Sequence, residues 1–254
     1  VQQGTIDYGR VRLWGSWTFI FAAILGGELI EGKPVDFILW LVIGSLVLLV
    51  IGCHLVPPTR TPGTTTFFAP LKEITRNRKL MLFMFTAGIL QASHGVYYWF
   101  ATLHWQAAGL STLTIGILWA EGVLAEIILF QYSGLVLNRI SPTMLIVIAA
   151  VAGIIRWSIM GYTDFLPALI FAQALHGLTF GAAHLGAIHY ISETIPPKLS
   201  ATAQSLLSAV VMGLAIGLTT MISGVLYSWV GSLAYFPMAG MAFVSVIVGL
   251  VLYF

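Results

Sequence analysis

Ionisable side chains are scarce in this 254-residue chain, and several fall inside long apolar runs. A charge is costly there and usually serves function. Glu126 sits about 16 Å from the Asn138-Arg139 end of its run at a helical rise of about 1.5 Å per residue. That depth is near the middle of a bilayer, where a carboxyl can load and release a proton. Glu121 lies about 24 Å from the same end, towards the opposite interface. The two carboxyls are about 140° apart around a helix, so no carboxylate pair is expected. Glu121 is then an outer-end polar residue or a substrate contact. Arg156 lies about 20 Å into the fifth run. Its guanidinium stays charged and calls for a carboxylate: Glu126, Glu121 or one on an anionic substrate. Snorkelling to the outer interface is the alternative. His176 is central in the sixth run and could relay protons or bind substrate. His184 and His189 follow at spacings that do not gather all three on one face, and no H-E-x-x-H pattern occurs, so no metal site is expected. His94, close to Tyr97, Tyr98 and Trp99, marks either an aromatic cavity wall or plain helix packing. Trp105 and Tyr162 read as anchors at the outer interface.

The elements that must position these groups follow from composition. Hydrophobic residues make up 59% of the chain and charged residues 8%, against about 25% charged in an average soluble domain. Nine acidic and eleven basic residues cannot clothe a soluble fold of this size, so the bilayer is the solvent for much of the surface. The apolar runs last about 18 to 25 residues without alternation, which is helix length and not barrel-strand length. The expected class is an all-α membrane protein. Eight spans are predicted: Leu13–Leu29, Phe37–His54, Leu80–His104, Thr114–Leu137, Met144–Tyr162, Leu166–Ile188, Leu206–Val230 and Ala234–Phe254.

Most connections are short. The exception, Leu55–Lys79, carries Pro57-Pro58 and Thr61-Pro62-Gly63, then Lys72, Arg76, Arg78 and Lys79. It reads as a flexible linker followed by a short basic helix. The expected division is a two-span end of one bundle in 1–55, a central loop in 56–79, and a six-helix bundle in 80–254. Nine basic residues, from Arg10 to Lys198, fall on one side of the membrane and only Lys33 on the other, with Arg156 inside a span. The crowded side is therefore cytoplasmic, and both termini of the chain lie there. Gly177-x-x-x-Gly181 and Gly213-x-x-x-Gly217 allow close helix approach, as static packing or as a sliding interface.

The net charge of +2 points to no nucleic-acid partner, and the single cysteine, Cys53, excludes an internal disulfide. Phosphate-loop and G-x-S-x-G signatures are absent, so an ATP-driven pump is not expected. The start at Val1 does not resemble a signal peptide, and the chain reads as a piece of a longer protein.

Asp7-Tyr8-Gly9-Arg10-Val11-Arg12-Leu13-Trp14-Gly15-Ser16 resembles the start of the fifth helix of phenylpropionate-type permeases. These are members of the major facilitator superfamily and similar to the lactose permease. Ala92-Ser93-His94, Tyr97-Tyr98, Trp105-Gln106-Ala107-Ala108-Gly109, Leu118-Trp119, Ala125-Glu126 and Arg156-Trp157 extend the resemblance along nearly the whole chain. It implies helices five to twelve of a twelve-helix bundle, with Leu55–Lys79 as the central cytoplasmic loop. Gly134-x-x-x-Asn138-Arg139 looks like a copy of the superfamily's loop motif with Asn in place of Asp. Arg12 resembles the sugar-binding arginine, and Arg156 and His176 resemble the buried arginine and histidine of the lactose permease. Thr179 stands where the next acidic residue would be, so Glu126 is taken as the coupling carboxylate. The resemblance implies a secondary active transporter in the inner (plasma) membrane. It would carry a small organic acid, aromatic for choice, in symport with protons. A sugar or nucleoside symporter or a drug exporter of the same fold is the alternative; an intramembrane enzyme would need a constellation that is not visible. Expected substrate contacts are Arg12, His94, Tyr97, Tyr98, Glu121 and Arg156, with Glu126 and His176 for the proton. No cofactor or metal is expected. The expected partners are the substrate, protons and lipid, with the protein a monomer.

Overall fold

The computed structural model describes residues 8–30, 33–34, 36–55 and 68–254; the side chains of Arg12 and Glu28, and the Pro57–Gly63 part of the linker, lie outside the described residues. Every regular element among them is helical: α1 (Tyr8–Ile30), α2 (Asp36–Leu55), α3 (Phe68–Thr75), α4 (Arg78–Ala92), α5 (Gly95–Ala107), α6 (Thr112–Gln131), α7 (Ser133–Leu137), α8 (Pro142–Tyr162), α9 (Leu166–Ala174), α10 (Ala183–Thr194), α11 (Pro197–Ser208), α12 (Ile216–Val230) and α13 (Tyr235–Tyr253). Among the described residues, six runs are long and apolar enough to cross a membrane. The last of them, Pro197–Tyr253, takes in α11, α12 and α13 and is divided at Gly231, whose φ of +57° ends α12. The chain thus folds as a bundle of apolar rods, as composition demands, and α3 is the short helix expected at the basic end of the linker.

Starts follow local chemistry. Asn77, Ser111 and Ser141 each accept a hydrogen bond from the backbone N–H three residues on, and Pro142 opens α8 where a missing N–H costs nothing. The rods are less uniform than expected. The Leu80–His104 span breaks at Ser93-His94, because side chains there compete for the helix carbonyls: Ser93 Oγ donates to the Leu90 carbonyl at 2.6 Å, and His94 Nδ1 meets the Gln91 carbonyl at 3.1 Å. The sixth and seventh spans carry π-helical turns at Gly177–Ala182 and Ala209–Ala215, a form that tends to mark functional sites.

α8 packs along α13 and on α10, and α4 lies against α13. Small residues permit this. A β-carbon at Gly249 would sit 2.9 Å from Val147, and one at Gly153 would sit 3.1 Å from Ala242. Of the two glycine pairs, only Gly177/Gly181 is used at a tight crossing. A β-carbon on Gly177 would lie 2.6 Å from the Ala125 carbonyl oxygen, whereas Gly213 and Gly217 face nothing within 4 Å. α2 buries none of its described residues. Trp105 is not an interface anchor: it is buried against Tyr97 and Trp119, since the break at Ser93-His94 leaves α5 packed inward.

Candidate functional site

A cavity of about 720 Å³ opens between α1, α5, α6 and the sixth rod. α1 contributes Gly15, Ser16, Phe19 and Ile20; α5 contributes Tyr97 and Tyr98; α6 contributes Gly116, Trp119, Ala120, Val123 and Glu126; the sixth rod contributes His176 and Phe180. The α6 residues recur at helical spacing, so one face of that helix forms the wall. Five rings and few polar atoms make the lining. Glu126 is 6% exposed, and Ser16 Oγ donates to its Oε1 at 3.3 Å, joining α1 to α6.

Behind this lining lies a polar cluster. Arg156 is fully buried; its guanidinium sits over the Tyr97 ring at 4.3 Å and the Trp157 ring at 4.6 Å. Nη1 donates to His176 Nδ1 and to Thr179 Oγ1, both at 2.9 Å, and Nη2 donates to Gln173 Oε1 at 2.7 Å. Tyr97 also donates its hydroxyl to Gln173 Oε1, at 3.2 Å. A guanidinium can only donate, so His176 Nδ1 accepts and its ring proton is on Nε2. His94 reaches Thr179 Oγ1 at 3.4 Å, and the Trp157 indole donates to Ser93 Oγ at 3.0 Å.

The expected residues thus separate into layers. Glu126, His176, Tyr97 and Tyr98 line the cavity. Arg156 and His94 do not: they are buried behind Tyr97 and His176. For Arg156 the sequence calls for Glu126, Glu121 or a substrate carboxylate; its hydrogen-bond acceptors among the described residues are the neutral side chains of Gln173, His176 and Thr179. Glu121 is half-buried and away from the cavity lining. The Arg12 side chain lies outside the described residues. No group of three metal-ligating side chains occurs among the described residues. The π turn changes the histidine geometry, stacking His176 on Phe180 at 5.4 Å and Phe180 on His184 at 6.2 Å. Sequence reasoning passed over Gln173, Phe180 and Trp119. Gln173 and Phe180 lie three and four residues from His176, one turn to either side, which is the signal that could have found them.

The family model described as the MFS_1 like family matches residues 1–238. A protein of Escherichia coli (strain K12) named "Probable 3-phenylpropionic acid transporter" is 35% identical over 244 residues, covering 94% of this chain and 63% of that protein. "Uncharacterized transporter YwbF" of Bacillus subtilis (strain 168) is 23% identical over 243 residues, covering 94% of this chain and 60% of that protein. The chain therefore spans about three-fifths of the length of these curated relatives. A crystal structure of a mutant of the nucleoside transporter NupG matches at a TM-score of 0.73 and 17% identity, over 98% of this chain and 68% of that one, a likeness of fold alone.

Proposed function

The chain belongs to the MFS_1 like family, and from that premise we propose that it is part of a secondary active transporter that takes up a small organic acid together with protons. The observation that carries this reading is the cavity: aromatic walls with a buried carboxyl and a histidine at its polar end. Flat apolar walls suit an aromatic ring. The name borne by the E. coli relative agrees with an aromatic acid.

The roles follow from depth and contact. Glu126 carries the coupled proton, and its bond to Ser16 ties α1 to α6. Residues 1–55 belong to one helix bundle and 80–254 to the other, with 56–79 between them. Rocking of one bundle on the other opens the cavity to each side in turn. His176 presents Nε2–H to the substrate, held in that tautomer by Arg156. Arg156 is a positioning residue and a fixed positive charge for an anionic substrate. The protein sits in the inner (plasma) membrane as a monomer, with both ends of this chain on the cytoplasmic side.

Uptake by the whole protein in proteoliposomes tests the reading. Phenylpropionate should accumulate when the outside is made acidic, and a protonophore should abolish accumulation. Uptake that ignores the proton gradient, or a preference for sugars over aromatic acids, would overturn it.

A further inference from the structure

We propose that Gly116 sets the size of the ring the cavity accepts, by leaving room on the α6 wall beside the Trp119 indole. This rests on the transporter reading above. Gly116 lines the cavity one turn before Trp119 on α6. Several glycines in the bundle are explained by packing: a β-carbon on Gly122 would meet the His176 ring at 3.4 Å, and one on Gly177 would strike the Ala125 backbone. Among the described residues Gly116 has no such neighbour, since a β-carbon there meets nothing within 4 Å, and its φ is not in the left-handed region. Glycine inside a helix is less stable than alanine. Neither packing nor backbone geometry calls for it here, and the space it leaves opens into the cavity.

The neighbouring indole is held in place. Its N–H donates to Thr102 Oγ1 at 3.0 Å, and the Tyr97 ring lies 4.6 Å from it. A fixed indole beside a missing side chain admits a planar group lying flat. Glu126 is two turns beyond Trp119, about 10 Å along the axis. A ring stacked on Trp119 therefore sends a short acid tail towards the Glu126 and His176 end of the cavity.

The experiment measures uptake by the whole protein of phenylpropionate, of a series with growing para substituents, and of a short aliphatic acid. Wild type, Gly116→Ala and Gly116→Leu are compared, with thermal unfolding recorded for each. Both variants should unfold no lower than wild type. Gly116→Ala should lose the bulkiest acids at least tenfold while keeping phenylpropionate, and Gly116→Leu should lose all aromatic acids but keep the aliphatic one. If Gly116→Leu does not fold, Gly116→Ala decides. Wild-type ratios across the series in folded variants would overturn the inference, as would one common loss that includes the aliphatic acid. A wild type that carries no aromatic acid at all would overturn the transporter reading in its aromatic form and the inference with it.

Discussion

Arg156 is surrounded by neutral acceptors and two aromatic faces, one side chain away from the cavity. At an effective dielectric of about 20, a unit charge at that remove is worth about 1–2 kcal/mol to an anion in the cavity. Arg156→Gln should therefore weaken binding of an acid about tenfold more than binding of its amide; equal losses, measured by titration, would make the arginine purely structural. Arg156→Lys should not rescue, because an ammonium cannot serve three divergent acceptors while stacked between rings. Depth and charge made Arg156 visible in the sequence. Of its partners, His176 was visible too, and Thr179 only as the residue standing where an acidic one would be; Gln173 was not, since it is uncharged and apolar context alone assigns it no role. Ser16 was beyond reach as well: its bond to Glu126 joins residues 110 apart.

The elements carry the closest tolerances. At the crossing of α6 and the π turn, Gly177→Ala would drive a β-carbon into the Ala125 carbonyl, where backbone must move. Overpacking of this kind costs about 1–3 kcal/mol, and the detergent-solubilised protein should unfold several degrees lower. Gly213→Ala, facing open space, should leave the unfolding temperature unchanged or raise it. If the two variants melted alike, the crossing would not be a packing constraint. The apolar spans were legible, because apolar length has direct physical meaning. The π turns and the break at Ser93-His94 were not, because the same residues suit an α-helix and only tertiary contacts decide. Trp105 was misplaced for the same reason: an aromatic at a span end packs inward or snorkels according to its neighbours.

At the scale of the whole molecule, the proposed orientation rests on the charge bias. Single cysteines at Arg76 and Lys198 should be labelled only from the cytoplasmic side, and one at Lys33 only from outside; the reverse pattern would invert the topology. The central claim is that a buried carboxyl couples substrate to proton, and Glu126→Gln in the whole protein tests it most directly. The amide mimics the protonated acid and fits the same space beside Ser16. Proteoliposomes bearing the variant should exchange labelled for unlabelled aromatic acid at nearly the wild-type rate, yet fail to accumulate it under an inward proton gradient. Accumulation against the gradient with wild-type proton uptake would contradict the account and leave His176 as the coupling group.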